Sequence, residues 1–299
     1  MPGEAKALLA AALWSIAGIV YAAQMRRNSA LRLNVIRSVA AAVFICLLIP
    51  FAGAAGELRT VSTATVIAMV GSGILAIGLG DSLFFVSLPV LGASLAVPVS
   101  SSVYPLLTFL VAWVWLGETI TWTVLLGSLF IMAGIFLLLW RATPVVAQDT
   151  GTGRRSRFDR RAAVLLLMVA TVFWTLSTTW LRAGSGDLGP VSANALRVSG
   201  TTLFLLPVTL RMREESSTAP PFAWGSAAWV AAAGILAVGI GSLFYIAAVQ
   251  EAGAGRTAIL TSTMPLFNLP LAVLFLRERV TPRLVAGTIV GVLGIWLIV

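Results

Sequence analysis

The sequence contains no histidine, one cysteine and few charged residues. Without histidine, a histidine metal site and a catalytic histidine are both excluded. Cys46 has no second cysteine in the chain, so an internal disulfide is excluded too. A glycine-rich nucleotide-binding loop is also missing, so ATP-driven pumping would need a separate subunit. We therefore expect neither a metal nor a cofactor.

The shortage of charge goes with long apolar segments. Charged residues make up 10% of the 299 residues and hydrophobic residues 59%, whereas a soluble protein carries about 25% charged residues. Most apolar segments have the length of about 18–25 residues that crosses a bilayer as a helix. Strict polar/apolar alternation is absent, so a barrel is excluded. The first 25 residues resemble a signal peptide, but they match residues 162–183, which lie mid-chain and indicate a membrane span.

The chain is an internal duplication. The block Gly73–Gly80 returns as Gly234–Gly241 at an offset of 161, and the Ser-Leu-Phe tail after each block matches at an offset of 160. Asp81 is therefore one extra residue in the first copy. An extra residue turns the rest of a helix by about 100° unless a bulge absorbs it, and such bulges often lie at functional sites.

Each copy holds five predicted spans, and an odd number makes the second copy enter the membrane from the opposite side. The sequence thus predicts two inverted repeats, residues 1–140 and 162–299, joined by a basic linker at residues 141–161. With the linker in the cytoplasm, the loops on that side hold fourteen Arg residues, against four Lys or Arg on the other. This bias predicts that both termini lie outside. It also explains the net charge of +9 without nucleic acid.

Matched residues at the end of each repeat resemble a known family. They are Pro105, Gly117, Glu118, Gly127 and Gly134 in the first copy and Pro265, Glu278, Gly287 and Gly294 in the second. The pattern resembles the EamA-type members of the drug/metabolite transporter superfamily. The second copy departs from it, because Arg277 stands before Glu278 where the first copy has Gly117 before Glu118. The resemblance implies an all-α integral membrane protein of ten helices in a basket around a central cavity. It also implies export of amino acids, related metabolites or drugs across a bacterial cytoplasmic membrane.

Two classes of function remain, a secondary transporter and a membrane-embedded enzyme or receptor. A hydrolase would be expected to show a nucleophile with a histidine or paired acids, and these are lacking, so we do not expect an enzyme. Within transport, an amino-acid exporter is the first hypothesis and an exporter of lipophilic drugs or nucleosides is the alternative. The expected partners are a small-molecule substrate and the lipid bilayer, with the chain a monomer or weak oligomer.

Paired Ser/Thr-Pro segments in the fourth and ninth spans are candidate substrate-binding elements. Ser101 and Tyr104 precede Pro105, and Thr261 and Ser262 precede Pro265. Because proline cannot donate a hydrogen bond, each frees the carbonyl four residues earlier, at Ser101 or Thr261. These carbonyls and hydroxyls would form a polar wall at mid-membrane. Alternatively, the hydroxyls bond their own helix and only soften a kink.

Aromatic residues in matched positions are a second set of candidates. Trp14 and Trp174 lie mid-span 160 residues apart, and Tyr245 stands in the second Ser-Leu-Phe tail. Facing aromatic rings could line a cavity and stack on apolar or cationic substrates, although core packing is the alternative.

Asp81 is the only acidic residue well inside a span. It is a candidate for proton coupling, or else a group that reaches water or pairs with an arginine.

Arginines inside the second and seventh spans should need partners. An arginine at such a depth costs a few kcal/mol unless it is paired or snorkels. The predicted topology places Arg37 and Glu278 near one face of the membrane, and Arg197 and Glu118 near the other. We therefore expect these two pairs to bridge the repeats as gates, unless the arginines bond helix carbonyls or headgroups.

Overall fold

A computed structural model describes residues 1–25, 29–119, 121–139, 159–215, 224–267 and 282–299. Within these ranges, all regular structure is helical. The α-helices are α1 (Gly3–Gln24), α2 (Ala30–Leu48), α3 (Ala54–Thr60), α4 (Thr63–Gly73), α5 (Asp81–Leu91), α6 (Ala93–Leu116), α7 (Trp122–Leu139), α8 (Arg160–Gly184), α9 (Pro190–Glu215), α10 (Trp224–Gly234), α11 (Ser242–Ala252), α12 (Ala254–Thr261) and α13 (Pro282–Ile298). Residues 141–158 of the expected linker lie outside the described residues, and so do Arg277 and Glu278; α8 already begins at Arg160, within the last residues of that linker.

Several helical stretches are long and apolar enough to cross a membrane. The described residues contain six of them, namely Gly3–Gln24, Ala30–Leu48, Thr63–Leu91, Leu95–Leu116, Arg160–Gly184 and Gly225–Ala252. Shorter apolar helices cover Trp122–Leu137 and Val285–Ile298. Large apolar side chains on their outer surfaces are exposed, as a hydrocarbon environment requires. The described part of the chain is thus helical, with the length and composition of a multi-pass membrane protein.

Each glycine-rich block forms a π-helical segment inside a longer helix. The first covers Ile74–Gly80, between α4 and α5, and the second covers Ile235–Gly241, between α10 and α11. A bulge was expected only in the first copy, to absorb Asp81. Both copies contain one, so the extra residue is not its cause. Helix α5, which follows the first block, continues through Pro89 to Leu91, although the sequence predicted that the span ends before the proline.

The ends of alternate helices meet at two opposite faces. At one end, which we call the N-terminal face, the Glu57 carboxylate accepts a hydrogen bond from the Gly189 amide at 2.9 Å. The Glu118 carboxylate at the same face reaches the start of α12. At the other end, the linker face, Ser226 donates a hydrogen bond to Gln24. Helix α1, the first of its half, begins at the N-terminal face, whereas α8, the first of the second half, ends there.

The peripheral helices α7 and α13 pack closely through glycines. A Cβ added at Gly134 would lie 2.6 Å from the Gly291 amide nitrogen, and one at Gly294 would lie 2.7 Å from the Ile131 amide nitrogen. Such small residues let two helices approach in lipid, where packing replaces the hydrophobic driving force. The remaining spans surround the centre of the molecule, where the polar residues collect.

Candidate functional site

Four aromatic side chains from four helices meet at the centre. Trp14 of α1 and Tyr245 of α11 have ring centroids 5.1 Å apart, and Tyr104 of α6 packs edge-on to Trp174 of α8 at 6.0 Å. The Tyr104 and Tyr245 hydroxyl oxygens are 3.3 Å apart and join the two pairs. We call these four residues the aromatic cluster. All four are sequence-predicted site residues, and the structure brings them together.

Thr178 links the two tyrosines of the aromatic cluster. Its Oγ1 lies 2.6 Å from the Tyr245 hydroxyl and 3.1 Å from the Tyr104 hydroxyl, and it donates to the Trp174 carbonyl at 2.8 Å. A threonine hydroxyl has one proton, so both tyrosines donate to it and keep oxygen lone pairs free to accept. The sequence analysis missed Thr178, although the polar run after Trp174 within an apolar span was a signal.

A buried ion pair lies beside the aromatic cluster. Arg37 donates to the Asp81 carboxylate, and Trp174 Nε1 donates to the other carboxylate oxygen at 2.9 Å. The Arg37 guanidinium also packs over the Phe85 ring, with its carbon 4.8 Å from the centroid. Asn34 accepts from Arg37 Nε at 2.8 Å. The site therefore contains a carboxylate that contacts both an arginine and an aromatic residue.

This pairing differs from the expected one. Arg37 was expected to pair with Glu278, which lies outside the described residues, but Asp81 in its own half already supplies a counter-charge. Of the interpretations left open for Asp81, pairing with an arginine is the one observed. The ion pair is possible because α2 and α5 are in contact, which the sequence did not reveal.

The expected pair of Arg197 with Glu118 is wrong. The Glu118 carboxylate instead accepts from the Ala254 and Gly255 amides at 2.6 and 2.9 Å, and Arg182 Nε lies 4.0 Å away. Glu118 follows the end of α6 at the N-terminal face, where the free amides at the start of α12 attract an anion. Arg197 lies seven residues into α9, about 10 Å deeper at 1.5 Å per residue.

The Ser/Thr-Pro segments bond mostly to their own helices. Thr261 is 3% exposed, and its hydroxyl donates to the Thr257 carbonyl at 2.8 Å. Ser262 donates to Ile259 at 2.7 Å. These two hydroxyls therefore bond to backbone carbonyls of their own helix, which is the alternative to a substrate-binding wall. Ser101 is partly buried in α6, which remains helical through Pro105.

Helices α6 and α12 nevertheless meet at a small apolar cavity. The cavity has a volume of about 50 Å³, and Pro105, Phe109, Ile259 and Ser262 are among the residues that line it. On the other side of α12, the Ser15 hydroxyl donates to the Met264 carbonyl at 2.9 Å. The residues just before Pro265 are thus bonded to α1, a contact that the sequence analysis did not anticipate.

A larger cleft of about 340 Å³ opens at the N-terminal face. Charged residues of both signs line it, namely Glu118, Arg182, Glu251 and Arg256. Two ion pairs adjoin the cleft. Lys6 pairs with Glu251, and Arg256 NH1 lies 3.4 Å from a Glu4 carboxylate oxygen. The cleft is a polar opening at this face.

Metal binding has no basis among the described residues, since no three His, Cys, Asp or Glu side chains cluster there. The chemistry that the central residues offer is non-covalent. It consists of aromatic stacking, hydroxyl hydrogen bonding and charge.

Several known proteins are similar to this chain in sequence or fold. An uncharacterised transporter of Archaeoglobus fulgidus is 26% identical over 293 residues, which is 97% of this chain and 95% of that protein. The uncharacterised transporter YvbV of Bacillus subtilis is 26% identical over 194 residues, 65% of this chain and 59% of its own. One solved crystal structure shares the fold over 99% of this chain and 95% of that one, with a TM-score of 0.76 and 16% identity.

The sequence also matches a family model in both halves. The match covers residues 1–140 and 161–299, which includes almost every span described above. The protein therefore belongs to the EamA-like transporter family.

Proposed function

We propose that the protein is a secondary transporter that exports amino acids or related small metabolites by alternating access. The observation that carries the proposal is the aromatic cluster beside the Arg37–Asp81 ion pair. It offers rings for stacking and oxygen lone pairs of the kind that accept hydrogen bonds from an ammonium group. It lies where helices of both halves meet, as a substrate site in a transporter should.

The proposed architecture is a ten-helix basket of two inverted repeats, residues 1–140 and 162–299, joined by a basic linker. Equivalent crossings between the halves support it. A Cβ at Gly80 would meet Trp174 Nε1 at 2.6 Å, and one at Gly241 would meet Trp14 Nε1 at 2.8 Å. The opposite entry of α1 and α8 into the helix bundle also supports inversion. Two similar halves that cross at glycines can rock against one another about a central site.

We further propose that Asp81 couples transport to protons. Its carboxylate has two partners, Arg37 and Trp174, on helices of different halves. A proton on Asp81 would remove the charge that Arg37 needs and weaken a contact between the halves. Substrate binding and protonation would then favour different conformations, which is the requirement for coupling.

The N-terminal face is proposed as the external face of a bacterial cytoplasmic membrane, because the basic loops lie opposite. Glu118 bridges the halves there by capping α12, and we propose that it is part of an external gate. We do not expect an enzyme, since the centre lacks a nucleophile with a histidine base. The aromatic cluster would also stack on nucleosides, which keeps their export as the alternative.

Uptake into proteoliposomes tests the proposal. Purified protein would be screened with radiolabelled amino acids and nucleosides, at equal pH and with a pH step across the membrane. We expect saturable uptake of at least one amino acid, reduced in a Ser101→Trp variant that fills the space beside Tyr104. Protein-free liposomes are the background control. Uptake of nucleosides alone would replace amino-acid export by the alternative, and unchanged uptake by Ser101→Trp would place the site elsewhere.

A further inference from the structure

Arg197 is a buried cation that pairs with no carboxylate of the described residues. The residue is 4% exposed within α9. Its NH1 donates to the Ser72 hydroxyl, and its NH2 lies 3.5 Å from the Ser177 hydroxyl, at the long limit of a hydrogen bond. Among the residues that the structure describes, no acidic oxygen lies within 4.0 Å of it. Neutral hydroxyls orient a guanidinium but do not neutralise its charge.

The equivalent arginine in the first half is satisfied in full. Arg37 lies 160 residues earlier, is 5% exposed, and bonds both Asn34 and Asp81. The second half retains the asparagine, since Asn194 Nδ2 donates to the Val238 carbonyl at 3.0 Å just as Asn34 Nδ2 donates to Ile77 at 2.7 Å. The aspartate has no counterpart, because Asp81 is the extra residue of the first copy.

Asn194 adds a second, independent observation. Its Oδ1 is buried without a hydrogen-bond partner, whereas the Oδ1 of Asn34 accepts from Arg37 Nε. The Arg197 side chain is therefore turned away from its own asparagine, toward the hydroxyls of Ser72 and Ser177. A buried acceptor and a buried cation are both left incomplete one helical turn apart. Such groups are costly in a membrane interior and mark functional positions.

The charge count at the centre points the same way. Arg37 and Arg197 are two buried guanidiniums, and within the described ranges Asp81 is the carboxylate that contacts one of them. Asp81 attracts Arg197 only from a distance, because Arg37 and Trp174 already occupy its oxygens. The described residues at the centre thus carry one excess positive charge. A small anionic group is the missing component.

We propose that Arg197 binds the carboxylate of the transported substrate, which makes the substrate class small organic carboxylates, zwitterionic amino acids included. A guanidinium matches a carboxylate with two parallel hydrogen bonds. Arg197 lies close enough to Tyr104 and Tyr245 to interact with them electrostatically, so the rest of the substrate would extend into the aromatic cluster. This inference rests on the proposed transport function but specifies the group that is recognised. The opposite account makes Arg197 a structural bridge between α4, α8 and α9.

Stability of the ligand-free protein separates the two accounts. Removing an uncompensated buried charge relieves its cost, whereas removing one member of an ion pair strands the other. We expect Arg197→Met to melt at or above the wild-type temperature, and Arg37→Met, the matched control, to melt well below it. A fall for Arg197→Met as large as that for Arg37→Met would overturn the proposal, because Arg197 would then be structural.

Ligand binding supplies the second readout. Thermal shifts would be measured with a panel of amino acids, each beside its own amide, which lacks the carboxylate. We expect the wild type to be stabilised by at least one acid and not by its amide. Arg197→Met should lose that stabilisation, with a fall in affinity of about 10- to 100-fold, and Arg197→Lys should retain part of it. Equal shifts by acid and amide, or no shift by any acid, would overturn carboxylate recognition.

Two further outcomes are distinguishable. Replacing sodium chloride by sucrose at equal osmolarity, which adds no carboxylate, tests whether Arg197 holds an inorganic anion. A melting temperature that falls without chloride in the wild type but not in Arg197→Met, with no response to amino acids, would overturn a substrate role. If proteoliposomes take up an amino acid and its amide equally, the proposed transport stands and the Arg197 inference fails. If the Arg197→Met and ligand results are as expected but no uptake occurs, the transport function fails instead.

Discussion

Gly73 lies where α4 crosses α9, and substituting it tests how closely the two helices approach. A Cβ at this position would overlap the carbonyl oxygen of Arg197 and lie 2.8 Å from its carbonyl carbon. These are backbone atoms of a buried helix, so they cannot move aside like the end of a flexible side chain. Gly73→Ala must therefore push α4 and α9 apart. Gly18 of α1 is the matched control, because a Cβ there would have no neighbour within 4 Å.

The sign and size of the effect follow from two opposing contributions. Overpacking a close contact costs about 1–3 kcal/mol, while exchanging glycine for alanine inside a helix gains about 1 kcal/mol. Gly73→Ala should then be destabilised by as much as about 2 kcal/mol, and Gly18→Ala should be stabilised by about 1 kcal/mol. The difference between the two variants, about 1–3 kcal/mol, isolates the crossing, because the helix contribution cancels.

The assay is thermal and denaturant unfolding of both variants in one detergent, followed by tryptophan fluorescence. Gly234→Ala is an independent repeat, since its Cβ would lie 2.6 Å from the Arg37 Cα and carbonyl oxygen. Uptake by the folded variants would show whether the crossing also moves during transport. If Gly73→Ala and Gly234→Ala were both as stable as Gly18→Ala, the close approach of the halves at these glycines would be refuted.

Three other substitutions have expected outcomes. Asp81→Asn leaves Arg37 buried without a counter-charge and should lower the free energy of unfolding by about 3–5 kcal/mol. The same variant should lose the response of transport to a pH step, and an unchanged response would show that Asp81 is not part of the coupling. Glu118→Gln should lower stability by about 1 kcal/mol, since the charge at the start of α12 is lost, and no change in melting would argue against that cap. Tyr245→Phe removes the hydroxyl bonded to Thr178 and should cost about 1 kcal/mol, with a raised KM for uptake; an unaltered KM would place the substrate away from this hydroxyl.

The sequence by itself determined the class of protein. Hydrophobic length and low charge act along the chain, so they predict membrane helices without any tertiary information, and the family match confirms the resemblance seen in the motifs at the end of each repeat. The duplication was likewise visible in the sequence. It identified Trp14 and Trp174 as equivalent, and the structure brings both to the central aromatic cluster.

Tertiary structure decided which polar groups meet. The sequence shows how deep a residue lies along its helix but not the direction in which it points, because small rotations and bulges change the facing partner. Arg37 therefore pairs with Asp81, while Glu118 caps α12 at the surface. The sequence indicated a bulge in the first copy only, whereas the folded chain has a π-helical segment in each half. Only the folded chain reveals that no described carboxylate pairs with Arg197, because the charge balance at the centre depends on neighbours brought together from both halves.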